Sequence, residues 1–516
     1  MERDGKNKSL WQNVQEDFTS VGGKVVDSFF DIVIVGGGVT GVTTAYELQK
    51  RGKKCLLIEA RNLCFGTTGG TTAHLNSFFD TTYAEAASRF GKEGAKNLAQ
   101  AAKEALDMYA GNMEKLKIDC DYKLMNGIVY SQDDKQAKEL DEMYEAAVEA
   151  GVAVSYVSKI PIDDTCKRAL SFKRQARLHP VKYVYALAHA FEKAGGTILE
   201  NCFAKDVSQK DLLELETSLG TIRCGKLIYA THIPPGINLL HLRCAPYRSY
   251  AMAIELEDDR YPSSAVYDMM DPYHYYRTQE IENQKYLIAG GEDHKTGHEE
   301  NTESRFDKLE QYLRNIFKIR EIKYKWSSQY FEPADGLAYM GHLPGASENI
   351  FVATGFGGNG MTYSHIAANI LATKIIQNTD LYGGLFSPGR VKPIAGFSNF
   401  VKENTDVVSS LIVDPFKISS IENLDDISND SADTVKYEHH SMAVYKNPEG
   451  ELFCLSPTCT HLKCTVKWNQ TERSWDCPCH GARYSVTGEV ITGPSTRPLS
   501  KIEFDKVNSH SEIGHG

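Results

Sequence analysis

The opening hydrophobic pattern is that of an α/β protein. Residues 31–35, Asp-Ile-Val-Ile-Val, form a short β-branched run, the pattern of a parallel strand buried on both faces. A glycine-rich stretch leads into a helical segment around Ala45 and Leu48, and residues 55–58 form a second buried strand. Helical periodicity with many alanines covers 83–116 and recurs over 133–150. His179-Pro180 opens a further helix through Phe191, with proline early in its first turn. Residues 227–231 read as another buried strand, and 250–256 and 285–289 as strands of a second sheet. The end of the chain differs. Short strands at 442–445 and 452–456 predict a small antiparallel β module, preceded by a connector with Ser387-Pro388-Gly389, Lys392-Pro393 and an acidic run over 425–430.

Composition narrows the class. With 516 residues, 41% hydrophobic and 24% charged, the chain can bury two or three independent cores. A net charge of −11, with no basic stripe interleaved with aromatics, argues against nucleic acid. No apolar stretch reaches the length of a membrane span, and residues 1–30 lack the apolar core of a signal peptide, so the expectation is a cytoplasmic protein. Seven of the 12 cysteines, Cys55, Cys64, Cys120, Cys166, Cys202, Cys224 and Cys244, are scattered, as buried small hydrophobes usually are. The other five fall between Cys454 and Cys479.

Between the first strand and its helix lies Gly36-Gly37-Gly38-Val39-Thr40-Gly41. Gly36 permits the tight turn, Gly38 lets the backbone approach a pyrophosphate, and Gly41 lets helix and strand pack closely. The helix N-terminus then faces the phosphates with unpaired amides. The second strand ends at Glu59, at the distance where an acid binds a ribose hydroxyl. Together these predict a dinucleotide site but do not separate NAD from FAD. The choice rests on Gly66-Thr67-Thr68-Gly69-Gly70-Thr71-Thr72-Ala73-His74, and on Phe351 to Thr362, a strand, a glycine loop and a helix start. The latter would aim backbone amides at a second point on the cofactor. In flavoproteins that point is the ring edge where negative charge develops on reduction.

Near the C-terminus, Cys459-Thr460-His461 and Cys477-Pro478-Cys479-His480 are separated by fifteen residues. Two thiolates and two imidazoles on two tight loops match a Rieske [2Fe–2S] centre, in which the cysteines hold one iron and the histidines the other. A structural zinc site is the alternative, but it would expect Cys-x-x-Cys followed by His-x3–5-His.

Residues 31–378 resemble the D-amino-acid dehydrogenase, glycine oxidase and sarcosine oxidase superfamily of flavoproteins, and the whole chain resembles a bacterial group in which such a flavoprotein is fused to a C-terminal Rieske domain. The resemblance implies an α/β FAD-binding domain, Rossmann-like and of the glutathione-reductase type, built from 31–83, 173–244 and 326–380 after an N-terminal extension, 1–30. It further implies an α+β substrate domain from 84–172 and 245–325, a linker at 381–433, and a small all-β Rieske domain at 434–510. FAD would be held by Gly36, Gly38, Gly41 and Glu59 at its adenosine end, and by Thr67, Thr68, Thr71, Thr72, Gly358, Asn359, Gly360, Met361 and Thr362 around the flavin. The cluster ligands would be Cys459, His461, Cys477 and His480, with Cys464 and Cys479 resembling the disulfide that pins such loops.

Candidate substrate residues come from the second sheet. Tyr273-His274-Tyr275-Tyr276-Arg277 combines aromatic faces with a guanidinium suited to bidentate carboxylate capture, a role that an Arg and a Tyr on this sheet play in related amino-acid oxidases. Arg277 and Tyr276 are therefore expected at the substrate, with His74 and Tyr339 near the active site. Asp293-His294-Lys295-Thr296-Gly297-His298 has ligand types for mononuclear iron, but is better read as a polar loop after the 285–291 strand.

These parts predict an FAD-dependent dehydrogenase for an amine or amino acid, with electrons leaving singly through the cluster to an external acceptor, a protein or a quinone. Oxygen as acceptor would need no such wire. A 2-hydroxy-acid or alcohol dehydrogenase, and an electron-transfer module with no small substrate, are the alternatives. A flavin face plugged by protein would mark the module. Tyr484 matches a tyrosine that donates to the cluster in respiratory Rieske proteins, but Ala482 stands where they carry a serine, which predicts a lower potential.

Overall fold

In a computed structural model, the protein is described over residues 3–21, 29–390, 419–421, 423–437 and 440–502. The first layer is a mainly parallel sheet in the order Thr197–Leu199, Cys55–Ile58, Phe29–Val35, Gly220–Tyr229 and Ile350–Thr354, with Tyr339–His342 antiparallel at its edge. Its strands are apolar on both faces because both are covered. Helices Val39–Lys50, Pro180–Lys193 and Gly360–Gln377 pack on one face. At Gly41 an added Cβ would lie 1.8 Å from the Gly36 carbonyl oxygen, so only glycine allows the first strand to turn into its helix here.

A nine-stranded sheet forms the second layer. Its central order is Ile319–Pro333, Cys244–Leu256, Gln284–Lys295, Tyr275–Ile281, Ala265–Tyr267, Lys123–Ser131 and Arg168–Arg177. It reaches beyond the expected segments 84–172 and 245–325, since Ile319–Pro333, the end of Arg168–Arg177 and His74–Leu75 also belong to it. The helix Tyr83–Leu116 starts with a capping box between Thr82 and Glu85 and breaks at Gly91, where φ is +81°.

The C-terminal domain contains two four-stranded antiparallel-rich sheets. One runs Ser419–Ser420, Ser431–Tyr437, His440–Lys446 and Leu452–Leu455; the other runs Lys467–Asn469, Ser474–Asp476, Arg483–Tyr484 and Val490–Thr492. The first begins inside the stretch expected to be linker, because Ser419–Ser420 pairs with Ser431–Tyr437. Residues 391–418 of that linker, and 503–510 of the expected Rieske domain, lie outside the described residues.

The N-terminal segment is an integral part of the core. Leu10 and Trp11 are fully buried, Trp11 Nε1 donates to the Thr71 carbonyl at 2.6 Å, and Gln12 Nε2 donates to the Cys64 carbonyl at 3.1 Å. This strap braces the loop that precedes and contains Thr67–Gly70.

The C-terminal domain docks on the second sheet through buried ions. Arg248 contacts Asp476 at 3.5 Å and Glu472 at 3.9 Å, while Arg483 contacts Asp476 at 3.1 Å and the Asp4 carboxylate at 3.4 Å. Both arginines are fully buried, and Ser327 Oγ donates to Glu472 at 2.6 Å. Such a network tolerates no missing partner, because each remaining charge would be stranded away from water.

Candidate functional site: one cavity shared by two redox domains

A cavity of about 510 Å³ runs along the ends of the first sheet. At one end lie Gly36, Gly38 and Glu59. Gly36 has φ +116°, and a Cβ there would come within 2.4 Å of the Ala230 carbonyl oxygen. Gly38 gives the helix Val39–Lys50 no side-chain cap of its own, and the first helical amide, Val39, is taken by Thr68 Oγ1 at 3.1 Å; the N-terminal end of the helix lies at the cavity. Glu59 accepts from the Gly37 amide at 2.6 Å and the Arg61 amide at 2.9 Å, so the acid is held at the strand end. This turn, helix end and acid fit the adenosine diphosphate portion of FAD.

Farther along, Thr67, Thr68, Thr71 and Thr72 line one wall, and Gly358, Asn359, Gly360 and Met361 another. Thr67 Oγ1 donates to the Gln329 carbonyl at 2.8 Å, and Thr68 Oγ1 accepts from the Val39 amide at 3.1 Å. The helix Gly360–Gln377 also starts without a side-chain cap. Thr362 is turned from the cavity and donates to the Asn76 carbonyl at 2.8 Å. Asp80 accepts from the Gly358 amide at 2.8 Å; burial raises its carboxyl above the usual range.

The expected substrate residues separate. His74 lines the cavity, with Nδ1 bonded to the Tyr267 hydroxyl and Nε2 buried without a hydrogen bond among the described residues; burial disfavours the charged ring. Arg277 does not line it. Its guanidinium is consumed by the Thr72 carbonyl and by Gln279 Oε1 at 2.6 Å, and lies over the Trp11 ring. Tyr276 points to the opposite face of the sheet, against Phe317, and Tyr339 packs on the Arg390 guanidinium at 4.0 Å. A direct carboxylate grip by Arg277 therefore does not fit, because a backbone carbonyl already occupies it. Tyr275, next in the same motif, does line the cavity, as do Tyr273, Tyr330 and Asp293. The 293–298 run is not all loop, since the strand extends to Lys295.

The cluster residues converge. Cys459 and Cys477 are in contact, and the Tyr484 hydroxyl lies 3.2 Å from Cys459 Sγ. Cys464 and Cys479 are bonded to one another beside them, with the Cys464, Cys477 and Cys479 sulfurs within 4.8 Å of one another. His461 and His480 face each other edge-on with ring centroids 5.0 Å apart. Nδ1 of both rings is buried and makes no hydrogen bond among the described residues, while His461 Nε2 donates to the Gly236 carbonyl at 3.0 Å. A pair of thiols opposite two unused imidazole nitrogens fits a [2Fe–2S] cluster held through sulfur and Nδ1.

The histidine tip is not open to solvent. His461 is 9% exposed and His480 2%. His241, from the flavin-binding domain, packs against both at 4.6 and 5.9 Å. Gly236 also donates from its amide to the Pro494 carbonyl at 3.2 Å. Thr492, Gly493, Ser495 and Thr496 of the C-terminal domain line the same cavity as the residues expected to hold FAD. Sequence reasoning missed Gln329, His241, Asp80 and Asp293; only Asp293 stood in a motif that had drawn notice.

The family of FAD dependent oxidoreductases matches residues 31–374, and the Rieske [2Fe-2S] domain family matches residues 417–503. The chain belongs to the FAD dependent oxidoreductase family. This oxidoreductase carries a Rieske domain, and its cofactors are FAD and a [2Fe–2S] cluster. It is 32% identical over 482 residues to YhfW of Bacillus subtilis (strain 168), named as a Rieske 2Fe-2S iron-sulfur protein, covering 93% of this chain and 94% of that one. It is 22% identical over 359 residues to gamma-glutamylputrescine oxidoreductase of Escherichia coli (strain K12), covering 66% and 82%. Glycine oxidase from Geobacillus kaustophilus shares its fold, with TM-score 0.57 and 18% identity over 71% of this chain and 98% of that one. Among the described residues, no helix of the oxidoreductase is long and apolar enough to cross a membrane.

Proposed function

We propose that the chain is an amine or amino-acid dehydrogenase whose electrons leave through its own Rieske domain to an external one-electron acceptor. The observation that carries this reading is the shared cavity: Thr492, Gly493, Ser495 and Thr496 of the Rieske domain line the same space as the threonines and glycines expected to hold FAD. When bound, FAD supplies a two-electron acceptor for hydride from a carbon beside nitrogen, and the cluster supplies a one-electron relay.

The chain's residues support that arrangement in three ways. Gln329 spans the two sites, since its carbonyl accepts from Thr67 at 2.8 Å and its side-chain amide donates to the Gly481 carbonyl, next to His480, at 2.8 Å. His241 and Gly236 hold the histidine tip against the flavin-binding domain. The buried network around Arg248 and Arg483 fixes the docking, which makes a swinging Rieske domain unnecessary.

The cavity is lined as well by Tyr267, Tyr275 and Asp293, residues outside the set expected to hold FAD. That supports an enzyme over an electron-transfer module. Relatives named for glycine and gamma-glutamylputrescine support a nitrogen-bearing substrate. The test is anaerobic mixing with N-methyl amines, D- and L-amino acids and 2-hydroxy acids, following the flavin band. Bleaching by an amine supports the proposal; bleaching by 2-hydroxy acids alone replaces it with the alcohol-oxidising alternative.

A further inference from the structure

Asp293 stands where the substrate sheet is deliberately irregular. Arg248 pairs with His294 and Tyr250 with Gly291, so Ser249 alone faces both Glu292 and Asp293. This is a β-bulge, with Glu292 at φ +57°, and a bulge re-aims the side chains on its strand. Glu292 turns toward His274 and Arg305, each at 3.4 Å. Asp293 turns into the cavity.

There its Oδ2 accepts from the Tyr330 hydroxyl at 2.9 Å and Ser249 lies beside the carboxylate, while Oδ1 is buried and makes no close hydrogen bond among the described residues. A buried carboxylate oxygen without a donor is costly unless a ligand supplies one. Tyrosine side chains line the cavity with it. Tyr273 and Tyr275 lie with ring centroids 5.8 Å apart, and Gly290 exists to admit Tyr275, since a Cβ there would sit 2.2 Å from the Tyr275 hydroxyl oxygen. Among the described residues lining the cavity there is no lysine or arginine, whereas Asp80 and Asp268 add carboxylates to Asp293, with Asp4 and Glu59 elsewhere in the lining.

Carboxylate and tyrosine faces without a guanidinium are the recognition chemistry of a cation, not of a carboxylate. We propose that Asp293 anchors an amine substrate, arriving in its ammonium form, inside a box of Tyr273, Tyr275 and Tyr330, and that the substrate needs no carboxylate. Asp293 takes up the ammonium proton, so that the nitrogen is neutral before hydride leaves the adjacent carbon. This deepens, and rests on, the amine reading above.

The test is a binding titration of the oxidised holoenzyme with butyltrimethylammonium, which stays cationic at all pH, and with butyrate, each followed as a shift of the flavin absorbance. The proposal expects saturable binding of the ammonium, no binding of butyrate, and a loss of ammonium affinity of about tenfold or more in Asp293→Asn, as for removal of a charge-assisted contact. Tyr330→Phe, which removes only the hydroxyl beside Asp293, is expected to weaken binding less. Butyrate binding with no ammonium binding, or an Asp293→Asn protein that binds ammonium as the parent does, overturns it. If α-amino acids bleach the flavin equally well in Asp293→Asn, the anchor fails and the amine reading stands. If only 2-hydroxy acids bleach it, the amine reading itself fails.

Discussion

Gln329 Nε2 donates to the carbonyl oxygen of Gly481 at 2.8 Å, across 152 residues of sequence and across the boundary between the two redox domains. Gly481 follows His480 directly, and a Cβ at Gly481 would meet Gln329 Nε2 at 2.8 Å and the Pro246 side chain at 2.7 Å. The contact is thus close, buried and dependent on glycine, and it joins a wall of the shared cavity to the loop that carries His480.

Replacing Gln329 by Leu removes the donor to a buried carbonyl and is expected to cost roughly 1–3 kcal/mol of stability. Flavin absorbance should be unchanged, while cluster reduction after flavin reduction slows. Rapid-freeze EPR after anaerobic substrate mixing checks this; an unaltered rate in a folded variant argues against a coupling role for Gln329.

Arg248→Met leaves Asp476 and Glu472 short of a buried counter-charge. The expected loss is about 3–5 kcal/mol, read as a lower thermal midpoint. Added salt should matter little, since screening acts weakly on buried pairs. A midpoint unchanged from the parent contradicts the clamp.

Acid should undo the same interface. Burial alone would raise the carboxyls of Asp476 and Asp4, but Arg483 and Arg248, joined at Asp4 by Arg3, hold both below the usual range. A depressed carboxyl stabilises the fold above its unfolded value near 3.9, and that contribution is lost as pH falls through the lower folded value. Docking is therefore expected to persist from pH 7 to about 4 and to weaken below it. Fluorescence of buried Trp326 and Trp475 can follow it. Undocking between pH 7 and 5 would show that other groups dominate.

Trp11→Ala should cost about 3–5 kcal/mol, as for other buried aromatics. Because Trp11 braces the Thr71 carbonyl and lies beneath Arg277, FAD should also be released more readily on dilution. FAD retention matching the parent's would reduce the strap to a stabilising role.

Tyr484→Phe removes the hydroxyl beside Cys459 Sγ and is expected to lower the cluster potential; Ala482→Ser, at a fully buried position, is expected to raise it. A redox titration of both variants decides.

Much of the site was legible in the sequence because its chemistry demands fixed residue types at short spacing. Gly36, Gly38 and Gly41 are tied by one turn, and Cys459, His461, Cys477 and His480 by two loops. Gln329, His241 and Asp293 were not legible, since their roles arise where distant elements meet. Arg277 shows the limit most clearly. Its strand was correctly placed, but only the fold reveals that the Thr72 carbonyl, 205 residues away, takes its guanidinium. The 1–30 segment read only as an N-terminal extension because Trp11 and Arg3 find their partners far along the chain.

The most direct test of the central claim is to mix the holoenzyme anaerobically with an amine that bleaches its flavin, recording flavin absorbance and the reduced-cluster EPR signal in the same samples. Wiring within one chain predicts that the cluster signal grows as the flavin reoxidises, at a rate independent of protein concentration. A bleached flavin with a silent cluster that dithionite still reduces, or a cluster rate proportional to protein concentration, would contradict it.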